Sequence, residues 1–129
     1  MLSFLGDSKW KDVSDLLTEA FTKYRLNTPS GYSSCVTHAV AAVEAFLQIK
    51  VKGKSGEGDF AALVSEGQRN GLLESDNFTK EIYKIFISIL MRERKETGDA
   101  HVKKSYATEK NAKMVLNISM IFLQHSIVP

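Results

Sequence analysis

Cysteine and proline are scarce in this chain, and each scarcity narrows what the protein can be. The single cysteine, Cys35, excludes an intramolecular disulfide and any metal site built from clustered cysteines. No histidine and asparagine pattern accompanies Cys35, so we expect a small core residue rather than a nucleophile. The two prolines, Pro29 and the terminal Pro129, leave nearly the whole chain free to form long helices.

Long apolar runs and a strong charge of one sign are absent as well. No stretch approaches the ~20 apolar residues of a membrane-spanning helix, and the first six residues are too short for a signal peptide's apolar region. We therefore expect a cytoplasmic protein that is neither exported nor inserted into a membrane. Seventeen basic against fifteen acidic residues do not indicate a nucleic-acid coat protein, although they allow a local basic patch.

The chain is long enough for one domain, 1–129, and its apolar residues recur with helical spacing. Asp7 or Ser8 is the expected cap of a first helix. That helix carries Trp10, Val13, Leu16, Leu17, Ala20, Phe21 and Tyr24. Residues 27–31 end it, and a second helix carries Tyr32, Cys35, Val36, Ala39, Val40, Val43, Phe46 and Leu47.

Three further helices follow a glycine-rich connection at residues 52–58. Its Gly-Lys-Ser triplet, 53–55, resembles the end of a phosphate-binding loop, but Gln48 occupies the position of that motif's first glycine, so we exclude it. A short third helix closes near Gly71, Thr108 caps the fifth, and Ser75, Asp76 or Asn77 caps the fourth. The third helix carries Phe60, Leu63 and Val64, and the fourth carries Phe78, Ile82, Ile85, Phe86, Ile89 and Leu90.

The fifth helix is apolar on most sides between Ala112 and Leu123, so it must be covered on more than one side. It is therefore either the central element or part of a subunit interface. No strand pairs with alternating pattern and no internal repeat are evident. The pattern predicts an all-α, five-helix bundle of the up-and-down type, which can pair as a two-fold dimer.

The stretch 91–104, where the fourth helix ends, is the strongest candidate for chemistry. Apolar residues give way to charge there, Gly98 and Asp99 offer a helix end, and Arg94 and His101 lie seven positions apart. Guanidinium groups match phosphate oxygens, and an imidazole can move protons at neutral pH, so the pair suits a phosphodiester. The ordinary alternative is a solvated, charged helix end. Further positive charge comes from Arg92, Lys95, Lys103 and Lys104.

The segment Arg-Lys-Glu-Thr-Gly-Asp-Ala-His, 94–101, resembles the Arg-Asn-x-x-Gly-Asp-Ala-His segment of abortive-infection (Abi) C-terminal-type domains in the HEPN superfamily. The signature of that superfamily is an Arg, four to six intervening residues and a His, and here Arg94 and His101 enclose six. The small-residue helix at 39–47, with Glu44 before its apolar end, is similar to a helix of the family. Two departures are Lys95, where the family usually has Asn, and Val102, where a Gly is common.

The resemblance implies a two-fold dimer whose motifs meet in a shared cleft. Many members of the superfamily are metal-independent endoribonucleases of phage-defence or toxin–antitoxin systems. They need no cofactor, and their partners are RNA and an antitoxin or another defence protein. By this resemblance His101 acts as general base or acid, and Arg94 stabilises charge on the phosphorane. The expected substrate contacts are Lys95, Asp99, Arg92, Lys103 and Glu44.

Three alternatives stay open at the level of sequence. The chain can be a non-catalytic HEPN-like module for dimerisation or for binding RNA or protein, which the departures at Lys95 and Val102 favour. Arg94, Asp99 and His101 can instead form a structural latch, and Glu44 can be a surface carboxylate or a core-edge ion pair. A related branch with Tyr two residues after the His is disfavoured, because Lys103 stands there.

Overall fold

The computed structural model describes residues 6–99 and 105–127, which form five α-helices and, within those ranges, no strand. A short 3-10 turn, Ser8–Trp10, precedes the first helix. The helices are α1 (Lys11–Tyr24), α2 (Pro29–Lys52), α3 (Phe60–Arg69), α4 (Asn77–Thr97) and α5 (Glu109–Ile127). The prediction of an all-α bundle of five helices is confirmed.

Short polar side chains begin most of these helices, because a side-chain oxygen can satisfy a free N–H of the first turn. Asp7 accepts a hydrogen bond from the Lys9 N–H in the turn before α1. Thr28 caps α2 through the Gly31 N–H, Asp76 caps α4 through the Thr79 N–H, and Thr108 caps α5 through the Asn111 N–H. The predicted caps at Asp76 and Thr108 are therefore confirmed, whereas Asp7 caps the 3-10 turn and α1 itself has no side-chain cap.

Helix α2, and not α5, is the central element of the bundle. It packs against each of the other four α-helices, and 14 of its 24 residues are buried. By length and composition alone α2 is apolar enough to cross a membrane, but 67% of its most apolar 18-residue window is buried inside the bundle. A core helix passes the same length and composition test. Of the two alternatives for α5, the central position is excluded because α2 occupies it, and a place in a subunit interface stays a prediction.

Helices α4 and α5 leave a row of large apolar side chains exposed. Phe78 is 66% exposed and Met114 is 58% exposed, although both lie in helices with apolar neighbours. The predicted apolar stripe of α4 is thus only partly covered, because the helix turns Tyr83, Ile87 and Leu90 inward instead. We call the exposed set the apolar face; its members are Phe78, Ile85, Ile89, Met114 and Ile121.

The N-terminal part of α4 and the C-terminal end of α5 are held together by a cluster of aromatic and polar side chains. Tyr83 is completely buried, and its hydroxyl lies 2.6 Å from His125 Nδ1 and 2.8 Å from Ser126 Oγ. Its ring lies 4.6 Å from that of Phe122, centroid to centroid. This cluster joins the N-terminal part of α4 to the end of α5, and His125 takes part in it through its contact with Tyr83.

Replacing Tyr83 with Phe tests that cluster. We expect Tyr83→Phe to lower the free energy of unfolding by about 1–2 kcal/mol, because the buried Ser126 hydroxyl loses its hydrogen-bond partner. Urea denaturation followed by circular dichroism measures the change. Tyr24→Phe is the matched control, since the Tyr24 hydroxyl makes only a 3.3 Å contact with an exposed Glu109 carboxylate. Equal effects of the two substitutions would contradict the assignment.

Candidate functional site

Arg94 lies one turn before the end of α4, where three helices meet. Its Nη1 donates to Glu44 Oε1 of α2 at 3.3 Å, and its guanidinium carbon lies 5.8 Å from the centre of the Phe60 ring on α3. The side chain of Arg94 is 25% exposed and that of Glu44 is 29% exposed. An ion pair and a cation–π contact therefore hold the guanidinium at the edge of the core.

The guanidinium keeps hydrogen-bonding capacity beyond this pairing. It carries five N–H donors in a planar fork, and within the described residues only the contact with Glu44 uses one of them. Because these donors lie in the plane of the group, an anion that accepts from them would approach the edge of the guanidinium. That edge is the part of an arginine that matches two oxygens of a phosphate.

The helix end beyond Arg94 is tied back to α2 at two neighbouring positions. The Asp99 N–H donates to Thr37 Oγ1 at 2.8 Å, and the Ala107 N–H donates to Ser33 Oγ at 3.0 Å. Thr37 and Ser33 lie one helical turn apart on α2, so Asp99 and Ala107 are anchored to neighbouring turns of the same helix. His101, Lys103 and Lys104 lie between these two anchors and outside the described residues.

Gly98 is needed where the chain turns towards α2. A Cβ atom at this position would lie 2.5 Å from the Arg94 carbonyl oxygen and 2.8 Å from Thr37 Oγ1. Contacts that short do not occur without a shift of the backbone. The predicted helix end at Gly98 is confirmed, and its physical cause is the close approach of α4 to α2.

The remaining predicted substrate contacts are distributed over the surface of the same helix end. Arg92 and Lys95 are exposed on α4, and Asp99 is exposed just after it. The described part of the chain shows no hydrogen bond from Arg94 to the Asp99 side chain, so the proposed latch does not include that contact. Arg94 pairs with Glu44 instead, which confirms the core-edge ion pair as the structural role of Glu44.

Glu44 also borders a cleft that is acidic rather than basic. Asp12 and Asp15 of α1 line it beside Glu44, and its volume is about 430 Å³. Asp12 accepts a hydrogen bond from Ser55 Oγ, and Asp15 pairs with Lys11. A phosphodiester would be repelled from this side of Glu44 and Arg94.

The other candidate groups have structural surroundings. Cys35 is completely buried, and burial raises the pKa of its thiol to about 12, so the thiolate needed of a nucleophile does not form near neutral pH. His38 Nδ1 lies 2.7 Å from the Ser34 carbonyl oxygen of its own helix. Over the described ranges, no group of three or more His, Cys, Asp or Glu side chains is arranged to hold a metal ion.

Comparison with protein-family models, with curated proteins and with solved structures finds no match for this chain. The resemblance to Abi-type HEPN domains therefore rests on the 94–101 motif and on the order of the helices. The sequence did not identify Phe60, Thr37 and Ser33 as neighbours of the candidate site, because no motif connects them to Arg94 and Asp99.

The Glu44–Arg94 pair can be measured by a double-mutant cycle. We expect Glu44→Ala and Arg94→Ala to show a coupling of about 1 kcal/mol in the free energy of unfolding, because both groups are mostly shielded from water. The matched control is the exposed pair of Glu19 and Lys23 on α1, whose atoms are 3.8 Å apart and whose coupling should be close to zero. Urea melts of the four variants in each cycle provide both values. A coupling near zero for Glu44 and Arg94 would mean that Glu44 does not hold the guanidinium.

Proposed function

We propose that this chain is a metal-independent endoribonuclease of the HEPN type, acting in a phage-defence or toxin–antitoxin system. Arg94 and His101 act on RNA in a cleft between two copies of the chain. The observation that carries the proposal is the state of Arg94: its guanidinium is held by Glu44 and Phe60, and among the described residues no other group accepts from its further N–H donors. His101 follows Arg94 by seven positions, just after the anchored Asp99.

The reaction needs only groups of the protein and the RNA. The 2′-hydroxyl loses its proton to a general base and attacks the adjacent phosphorus atom. The bond from phosphorus to the 5′-oxygen breaks, and that oxygen takes a proton from a general acid, which leaves a 2′,3′-cyclic phosphate and a 5′-hydroxyl. His101 acts as base or acid in this scheme, and Arg94 stabilises the negative charge on the phosphorane oxygens.

Flanking charges extend the site along the RNA backbone. Arg92 and Lys95 are exposed on the last turns of α4, and Lys103 follows His101 in the sequence. These cations contact phosphates on either side of the cleaved bond, whereas Asp99 accepts hydrogen bonds from ribose or base. Glu44 acts by positioning Arg94 rather than by touching RNA.

The exposed apolar face offers a surface for pairing of two copies, but a dimer formed through it would not by itself close a cleft around Arg94. Phe78, Ile85 and Ile89 of α4 and Met114 and Ile121 of α5 are exposed, and Ile89 and Met114 line one shallow pocket between the two helices. Exposed large apolar side chains that cluster in this way are typical of an interaction site. An antitoxin or another defence protein is the further partner that the proposal includes.

A second candidate is a non-catalytic HEPN-like module for dimerisation or for binding RNA or protein. Arg94 is five residues beyond Ile89, which places it about 140° around α4 from the apolar face. Pairing through that face would therefore leave Arg94 outside the seam between the copies. The neutralising contact with Glu44 and the acidic cleft beside it also favour this candidate.

Cleavage of RNA in the presence of a chelator distinguishes the ribonuclease from the non-catalytic module. We expect the wild-type chain to cut a mixed-sequence single-stranded RNA in EDTA, and His101→Ala and Arg94→Ala to lower the rate by about 100-fold or more, as loss of a general acid or base or of charge stabilisation does. Arg69→Ala, an exposed arginine on α3, is the matched control and should keep full activity.

Two results would remove the proposed chemistry: cleavage that survives His101→Ala, or cleavage that requires an added metal ion. If the wild type cuts no RNA, and His101→Ala instead lowers the melting temperature markedly, His101 is structural and the second candidate is preferred. Circular dichroism of each variant shows whether the helical content is retained.

Sedimentation velocity at micromolar concentration tests the pairing. We expect a species of twice the 14.4 kDa chain mass, and an Ile85→Glu and Ile121→Glu double variant that sediments as a monomer, because two desolvated carboxylates would enter the interface. Leu26→Glu is the matched control, since Leu26 is equally exposed but lies far along the chain from the apolar face. A monomeric wild type, or a double variant that still pairs, would contradict self-association through this face.

A further inference from the structure

The groove between α3 and α4 is a second concave site, separate from the Arg94 contacts with Glu44. Its volume is about 500 Å³, within the range of small-molecule sites in proteins. Its floor is apolar, since Val64, Tyr83 and Ile87 are buried and border it. The other lining residues are Ala61, Ser65, Gln68, Lys80, Lys84, Ser88 and Met91.

Two of the polar residues that line this groove are cations. Lys80 and Lys84 lie one turn apart on α4, and both are exposed. Within the described residues neither lysine forms an ion pair. Met91, at the far end of the lining residues of α4, is apolar.

We infer that this groove binds a single-chain aliphatic carboxylate, whose head group pairs with Lys80 and Lys84. A carboxylate complements the two ammonium groups both by its charge and by accepting their hydrogen bonds. The aliphatic chain lies over Val64 and Ile87 towards Met91. The inference does not depend on the proposed ribonuclease activity.

The length of the groove determines how long an aliphatic chain it can hold. Lys80 and Met91 are eleven residues apart on α4, which is about 16 Å at the helical rise of 1.5 Å per residue. A zigzag of about twelve carbons spans a similar distance, since bonds of roughly 1.5 Å advance it by slightly less than their length. Dodecanoate is therefore the probe for this groove.

Isothermal titration of the full chain with dodecanoate, below its critical micelle concentration, tests the inference. We expect one molecule to bind per chain. Dodecylammonium, with the same chain and the opposite charge, should bind at least about tenfold more weakly because the lysines repel it. Butyrate keeps the carboxylate but loses most of the apolar contact, and should bind more than about 100-fold more weakly.

Substitutions in the groove test whether dodecanoate binds there. Lys80→Gln with Lys84→Gln should weaken dodecanoate binding about tenfold, whereas the matched control Lys110→Gln with Lys113→Gln on α5 should not change it. Ala61→Trp, at an exposed position on the groove wall, should abolish binding by filling the space. Melting temperatures of all variants confirm that each is folded.

Three outcomes would overturn the inference. They are equal affinity for dodecanoate and dodecylammonium, an unchanged affinity in the Lys80 and Lys84 double variant, and binding to phosphatidylglycerol vesicles without binding of monomeric dodecanoate. The last outcome would show a surface that adsorbs to anionic lipid rather than a groove that holds one chain.

Discussion

The burial of α2 is the constraint on which the rest of the structure depends. This helix is enclosed by the other four α-helices, and its small residues Ala39, Ala42 and Ala45 allow them to approach closely. The hydrophobic effect supplies the gain, since most of the apolar window of α2 is removed from water. The few polar side chains on its edges then act as fixed reference points for the surrounding segments.

Those polar side chains organise the candidate site. Ser33 and Thr37 accept hydrogen bonds from the backbone on either side of residues 100–104, and Glu44 holds the Arg94 guanidinium two turns further along α2. Arg94 is thereby fixed relative to the two anchors of the segment that contains His101. Charges of both signs surround Arg94. The cleft beside Glu44 is acidic, whereas Arg92 and Lys95 are exposed near the end of α4.

Local features of the fold were predictable from the sequence, and contacts between distant segments were not. Helical spacing and capping residues such as Asp76 and Thr108 identified the five helices, since each signal lies within a few residues of the structure that it controls. Helical spacing could not show which apolar side chains of α4 are covered. Phe78 and Tyr83 are both large, but Phe78 is exposed and Tyr83 is buried, because Tyr83 packs against α5. The partners of Arg94 and Asp99 lie on α2 and α3, far from them in the sequence, so helical spacing could not identify them either.

The central claim is that Arg94 and His101 contact the same phosphodiester. Nuclear magnetic resonance tests it most directly, by titrating the wild-type chain with a mixed-sequence single-stranded RNA in which every 2′-hydroxyl is methylated, so that no cleavage takes place. We predict that the Arg94 Nε–H signal and the His101 ring signals shift together, with one dissociation constant, and that neither shifts in the absence of RNA. RNA binding that moves other residues while either of these two signals stays in place would contradict the account.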